Sequence, residues 1–104
     1  MDELQRVLKN LEEIETILRR HDYPEPNPKA LGRIQLLTAQ MKGVDHYISE
    51  KVGRLANQAA VFYSARRHAN PGSLHAEISS DLPSRIRAQV NHLMRLAKNQ
   101  DGEV

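Results

Sequence analysis

The sequence predicts an all-α fold, an antiparallel helical hairpin with one long helix plus a third, C-terminal helix folded onto it. Three observations carry this. Apolar residues recur at helical spacing over most of the 104 residues. The five prolines stand only between the periodic segments or at their starts. Strict alternation of apolar and polar residues is confined to one stretch of five, Leu74 to Ile78. At this length the chain is one domain, residues 1–104. With one Phe, three Tyr and no Trp, its core must be aliphatic.

The first helix is expected over about residues 2–21. Leu4, Val7, Leu11, Ile14 and Leu18 alternate steps of three and four, the seam of a helix that packs on another helix. Asp2 and Glu3 complement the positive end of its dipole, and Arg19, Arg20 and His21 the negative end. The Pro-rich loop 23–28, with Pro24, Pro26 and Pro28, stops it.

Asn27 then reads as an N-cap and Pro28 as a first helical residue. Ile34, Met41, Ile48, Leu55 and Phe62 recur every seven residues, which predicts one long helix over about 28–68. Gly43 and Gly53 lie inside it. A break at Gly43, with Asp45 opening a second piece, is the alternative. The continuous helix is favoured because the heptad phase passes through Gly43 unchanged. Asn70-Pro71-Gly72 ends that helix and begins a link over 69–81. The alternation at Leu74, Ala76 and Ile78 makes this link either a strand that pairs with another chain or an irregular or helical connection.

The last helix is expected over about 82–98. Ser80 or Asp81 can cap it, and Pro83 suits its first turn. Ile86, Val90, Leu93 and Ala97 form its buried stripe, with Leu82, Met94 and Leu96 on the flanks. A hairpin whose first arm is half the length of its second leaves a thin core. Self-association or a larger partner is therefore expected to complete it, with a homo-oligomer as the first expectation.

The composition and motifs exclude several kinds of chemistry. There are no cysteines, hence no disulfides, thiolate metal sites or cysteine nucleophiles. The five histidines never fall at the His-x-x-x-His spacing that puts two ligands on one helix face. His46 stands between Asp45 and Glu50, an arrangement that reads more simply as an exposed helix-surface pair than as a catalytic one. No serine lies in a nucleophile elbow, and Gly72-Ser73 opens no phosphate loop. The expectation is a non-enzymatic protein without cofactor or metal. No apolar run approaches the roughly 18–20 residues of a membrane span, and Met1 to Arg6 does not read as a signal peptide. A cytoplasmic location follows as an expectation, and no membrane partner.

Charge points to the second half of the chain. Residues 1–51 hold eight Lys/Arg against nine Asp/Glu, and residues 52–104 seven against four. Arg87, Asn91, Arg95 and Lys98 follow one another at helical spacing, with Arg85 beside them and no acid between Asp81 and Asp101. Such a face suits an acidic protein or, as the competing reading, the phosphates and base edges of nucleic acid. Arg66 and Arg67 extend the positive charge at the end of the long helix. Tyr63 lies off the seam and is the expected exposed anchor for a partner, whereas Phe62 fits the seam.

The stretch Ala69-Asn70-Pro71-Gly72-Ser73-Leu74-His75-Ala76-Glu77-Ile78 follows a basic, Ala-containing helix. It resembles the Ala-Pro … Gly-x-Leu-x-x-x-Ile stretch of small head–tail joining and tail-completion proteins of tailed phages. The resemblance covers about a tenth of the chain. It lacks the Thr before the Gly and the later β-strands of that family. It implies a helix leading into a strand, subunits assembled into a ring, and a place in a virion.

Overall fold

The computed structural model describes residues 2–21, 24–64 and 70–102. It contains α1 (Asp2–Arg20), α2 (Pro28–Met41), α3 (His46–Phe62), α4 (Pro71–Ala76), a π-helical turn (Glu77–Asp81) and α5 (Leu82–Gly102). Among the described residues there is no strand, so the all-α prediction holds.

The long helix expected over 28–68 is instead two antiparallel helices. α2 stops at Met41, and Gly43 turns the chain with φ at +88°. That left-handed conformation favours glycine, because a Cβ would crowd the following carbonyl. Asp45 restarts the helix by accepting the Ile48 N–H at 3.1 Å, and the Ser49 hydroxyl accepts the Gly43 N–H at 3.0 Å. The heptad phase survives because both helices turn their seams to the same core. Ile34, Met41, Ile48, Leu55 and Phe62 are all fully buried, on two elements rather than one. α3 ends at Phe62, and the remainder of the expected helix, 65–68, lies outside the described residues.

The link over 69–81 is helical from Pro71, and Leu74 to Ile78 is not a strand. Asn70 caps it by accepting the Ser73 N–H at 3.1 Å. The helix runs through the π turn, where the Leu82 N–H reaches back to Glu77 O, and on to Gly102 rather than ending near 98. The true apolar series here is Leu74, Ile78, Leu82, Ile86 and Val90, every four residues. The alternation at Leu74, Ala76 and Ile78 is a short sample of that series.

Side-chain pairs between helices fix the topology. Asn10 reaches Leu37 O and Glu13 pairs with Arg33, so α2 runs antiparallel to α1. His75 reaches Leu18 O and Arg87 pairs with Glu15, so the C-terminal helix is antiparallel to α1. Arg54 pairs with Glu77 and Gln89 with Asp45, so it is also antiparallel to α3. Each of the four rods packs on two neighbours, giving an up-down-up-down four-helix bundle with principal extents of 56 × 22 × 21 Å. Val7, Leu11, Ile14 and Leu18 from α1 meet the seams of the other three rods in one core, aliphatic except for Phe62 and Tyr63. The core that the sequence left thin is thus closed within a single chain. Among the described residues the seam that motivated self-association is covered by the chain's own helices.

Candidate partner-binding surface

The C-terminal helix outruns the bundle. From Pro71 to Gly102 it spans roughly 48 Å at 1.5 Å per residue, against about 28 Å for α1. Gln89 is level with the turn between α2 and α3, since it donates to Asp45 Oδ2 at 3.2 Å. Counting upward from the His75–Leu18 contact puts the start of α1 near Asn91. The fully buried residues of the helix end at Val90, while Leu93 and Met94 are half-buried. Beyond them the amphipathic pattern continues with fewer neighbours. Leu96 is 46% exposed, flanked by exposed Arg95 and Lys98.

The sequence-selected residues divide across this geometry. Arg85, Asn91, Arg95 and Lys98 are exposed on α5 and make no side-chain bond within the described residues. Arg87 does not belong with them. It forms two hydrogen bonds with the Glu15 carboxylate of α1, one of 3.2 Å, so an acid from another helix neutralises it. Arg66 and Arg67 lie outside the described residues.

Tyr63 is not an exposed anchor. It is 4% exposed, edge-on to Phe62 at 5.1 Å and to His21 at 5.9 Å between ring centroids. Its N–H still bonds Ala59 O at 3.0 Å, so it stands one helical turn beyond Ala59 at the edge of the buried stripe, and burial pushes its phenol up to about 12. Its hydroxyl lies 3.3 Å from His21 Nδ1, and His21 Nε2 lies 3.3 Å from Asn27 Nδ2. Asn27 Oδ1 is committed to capping α2 at the Ala30 N–H, which turns the amide nitrogen toward His21. Nε2 must then accept, so Nδ1 carries the proton and donates to Tyr63 Oη. His75 closes the same end of the bundle, donating from Nε2 to Leu18 O at 2.8 Å.

His46 is exposed, and the neighbouring Asp45 carboxylate is occupied by the Ile48 N–H and by Gln89. Among the described residues no group of three His, Asp or Glu is placed to hold a metal ion. No helix among them is long and apolar enough to cross a membrane.

Three surface cavities are prominent. One, of about 420 Å³, lies between α3 and α4 and is lined by Arg54, Gln58, Ser73, Glu77 and Asp81. Hydrogen bonds from Gln58 and Arg54, with the Arg54 charge, hold the Glu77 carboxyl below its ordinary range. The other two, of about 400 and 350 Å³, lie end to end in the groove between α1 and α2. They bring together Arg6, Lys9, Arg20, Lys29 and Arg33, which sequence reasoning missed. Counting charge by halves of the chain concealed them, because the acids of α1 lie in the same half. The available signal was the series 6, 9, 13, 17 and 20, a second face of α1 beside its apolar seam.

No family model, curated protein or solved structure matches the chain.

Proposed function

We propose that the protein is a non-catalytic helical interaction module, and that the free end of α5 is a working surface for an acidic protein partner. One observation carries the reading: the amphipathic pattern of α5 continues past the helices that cover it, with Leu96 exposed between Arg95 and Lys98. An apolar residue flanked by two cations suits a partner helix that offers an apolar face with carboxylates at its edges. From Asn91 to Lys98 this end carries Arg95 and Lys98 and no acid, so a partner that offers carboxylates meets no repulsion there. The phage-like stretch leaves open a role in a larger assembly but adds no surface of its own.

The test uses two labelled probes against the full chain: an amphipathic Leu/Glu helical peptide and a double-stranded oligonucleotide, each at two salt concentrations. Leu96→Glu, and Arg95→Ala combined with Lys98→Ala, should weaken peptide binding while leaving the helical circular dichroism intact. Tight oligonucleotide binding with a steep salt slope, lost in the same variants, would favour the nucleic-acid module instead.

A further inference from the structure

The groove between α1 and α2 is strongly charged, and nothing in the reading of α5 uses it. α1 sorts its charges by side. Glu15 bonds Arg87 of α5, and Glu12 also acts on that guanidinium. Arg6, Lys9 and Arg20 face the other way, into the groove, where Lys29 and Arg33 of α2 join them. Among the described residues lining the groove, one carboxylate stands against these five cations, Glu13. Arg33 bonds it through two nitrogens, one at 3.0 Å, and the pair forms a bar across the groove shared by both cavities. The Arg33 bond and charge hold the Glu13 carboxyl below its ordinary range.

From this we infer that the α1–α2 groove is a second binding site, for a carboxylate-rich peptide segment of a partner protein. Among the described residues each cavity has three cations for one acid, and apolar side chains stand beside them, Ile17 and Ala30 in one cavity and Leu37 in the other. A peptide can set carboxylates on the cations and small apolar side chains on those apolar residues. From Arg6 to Arg20 is about 21 Å along the helix, the span of six or seven residues of extended chain.

A further polar group points to peptide chemistry. Asn10 is 6% exposed and lines the groove. Its Nδ2 donates to Leu37 O at 3.3 Å and to Gln40 Oε1 at 3.1 Å, which fixes the amide orientation. Its Oδ1 accepts nothing within the described residues. A buried acceptor left open costs stability unless a donor meets it, and a peptide N–H is such a donor, whereas a phosphodiester backbone has none. A single strand of nucleic acid also needs rings to stack its bases. Among the described residues the one ring lining the groove is His21, which Tyr63 and Asn27 already engage.

The experiment is fluorescence anisotropy with a labelled eight-residue peptide alternating Glu with Ala or Leu, its Gln-for-Glu counterpart, and a single-stranded oligonucleotide. Arg6→Ala with Lys9→Ala, and Arg20→Ala with Lys29→Ala, should each weaken the Glu peptide by about tenfold. All four residues are exposed, so circular dichroism should report an unchanged fold. Glu13→Gln should tighten binding severalfold, because it removes the competing carboxylate and frees Arg33; a purely structural ion pair would give no tightening. Arg95→Ala with Lys98→Ala should leave this peptide unaffected, which separates this site from the free end of α5. The inference is overturned if the Glu peptide fails to bind at millimolar concentration, or if the Gln peptide binds equally well. It is also overturned if the groove variants change nothing, or if the oligonucleotide binds more tightly and is lost in the same variants.

Discussion

At the scale of single residues, the decisive group is the chain Asn27–His21–Tyr63, which joins α1, α2 and the end of α3 through hydrogen bonds of 3.3 Å. Because the N-cap fixes the Asn27 amide, His21 is expected as the Nδ1–H tautomer, and nitrogen chemical shifts of the labelled ring should show it. A dominant Nε2–H form would mean that the amide is turned and the cap at the Ala30 N–H lost. Tyr63 gives a second expectation. Its phenol lies above the ordinary 10.0, at about 12, so the folded state holds its proton more tightly than the unfolded chain does. The stability this contributes is fully present below pH 10 and is lost as pH rises from about 10 through 12. Absorbance titration with Tyr23 and Tyr47 replaced by Phe should show a late-ionising phenol, with unfolding becoming easier over that window. Of this chain only the Asn27 cap was legible in the sequence. Heptad spacing placed Tyr63 off the seam, but it stands one helical turn beyond the buried Ala59, and at that end of α3 the buried stripe is wide enough to take both Phe62 and Tyr63.

At the scale of elements, the sequence showed which faces are buried but not where the chain reverses. Leu11 and Ile48 are fully buried on seams read correctly from spacing. Replacing either by Ala should cost about 2–4 kcal/mol, whereas Arg20→Ala should stay within about 0.5–1 kcal/mol. Chemical denaturation checks all three. The reversal at Gly43 was hidden because a seven-residue period records the phase of a seam and not its direction. Two glycines that look alike in sequence should therefore respond oppositely. At Gly43 space is open, yet φ of +88° makes any side chain strained, and Gly43→Ala should destabilise by about 1–2 kcal/mol. At Gly53, inside α3 with nothing near a Cβ, the same substitution should stabilise by about 0.5–1 kcal/mol. Equal signs in thermal melts would place the break elsewhere.

At the scale of the molecule, the bundle and the free end of α5 are separable. The core draws its fully buried side chains from Val7 to Val90. A chain ending after Met94 should therefore keep most of its stability and unfold in one cooperative step, while losing whatever binds around Leu96. Sedimentation at micromolar concentration should give one subunit for both lengths, since four rods of one chain already cover the seam. A dimer that persists in the shortened chain would locate a self-association surface on the bundle. The charged faces were half legible. Arg95 and Lys98 are exposed as spacing suggested, but no count along the chain could show that Glu15 would neutralise Arg87. Nor could it show that α1 and α2 would pool their cations across a groove.

The π turn at Glu77–Asp81 has a consequence for how this sequence can vary. A straight α-helix turns about 100° per residue, so a stripe repeating every four residues drifts by about 40° at each step. From Leu74 to Val90 that would carry the stripe most of the way to the opposite side. The widened turn takes up part of the drift, acting as a phase corrector that lets Leu74 and Val90 face one core. A one-residue deletion between Ile78 and Leu82 would then remove the residue that the wide turn accommodates. The stripe would be spaced by four, three, four and four, the ordinary α-helical pattern, and Ile86 and Val90 would keep their place in the core. The same deletion between Leu82 and Ile86 would instead swing Ile86 and Arg87 by about 100°, away from the core and from Glu15.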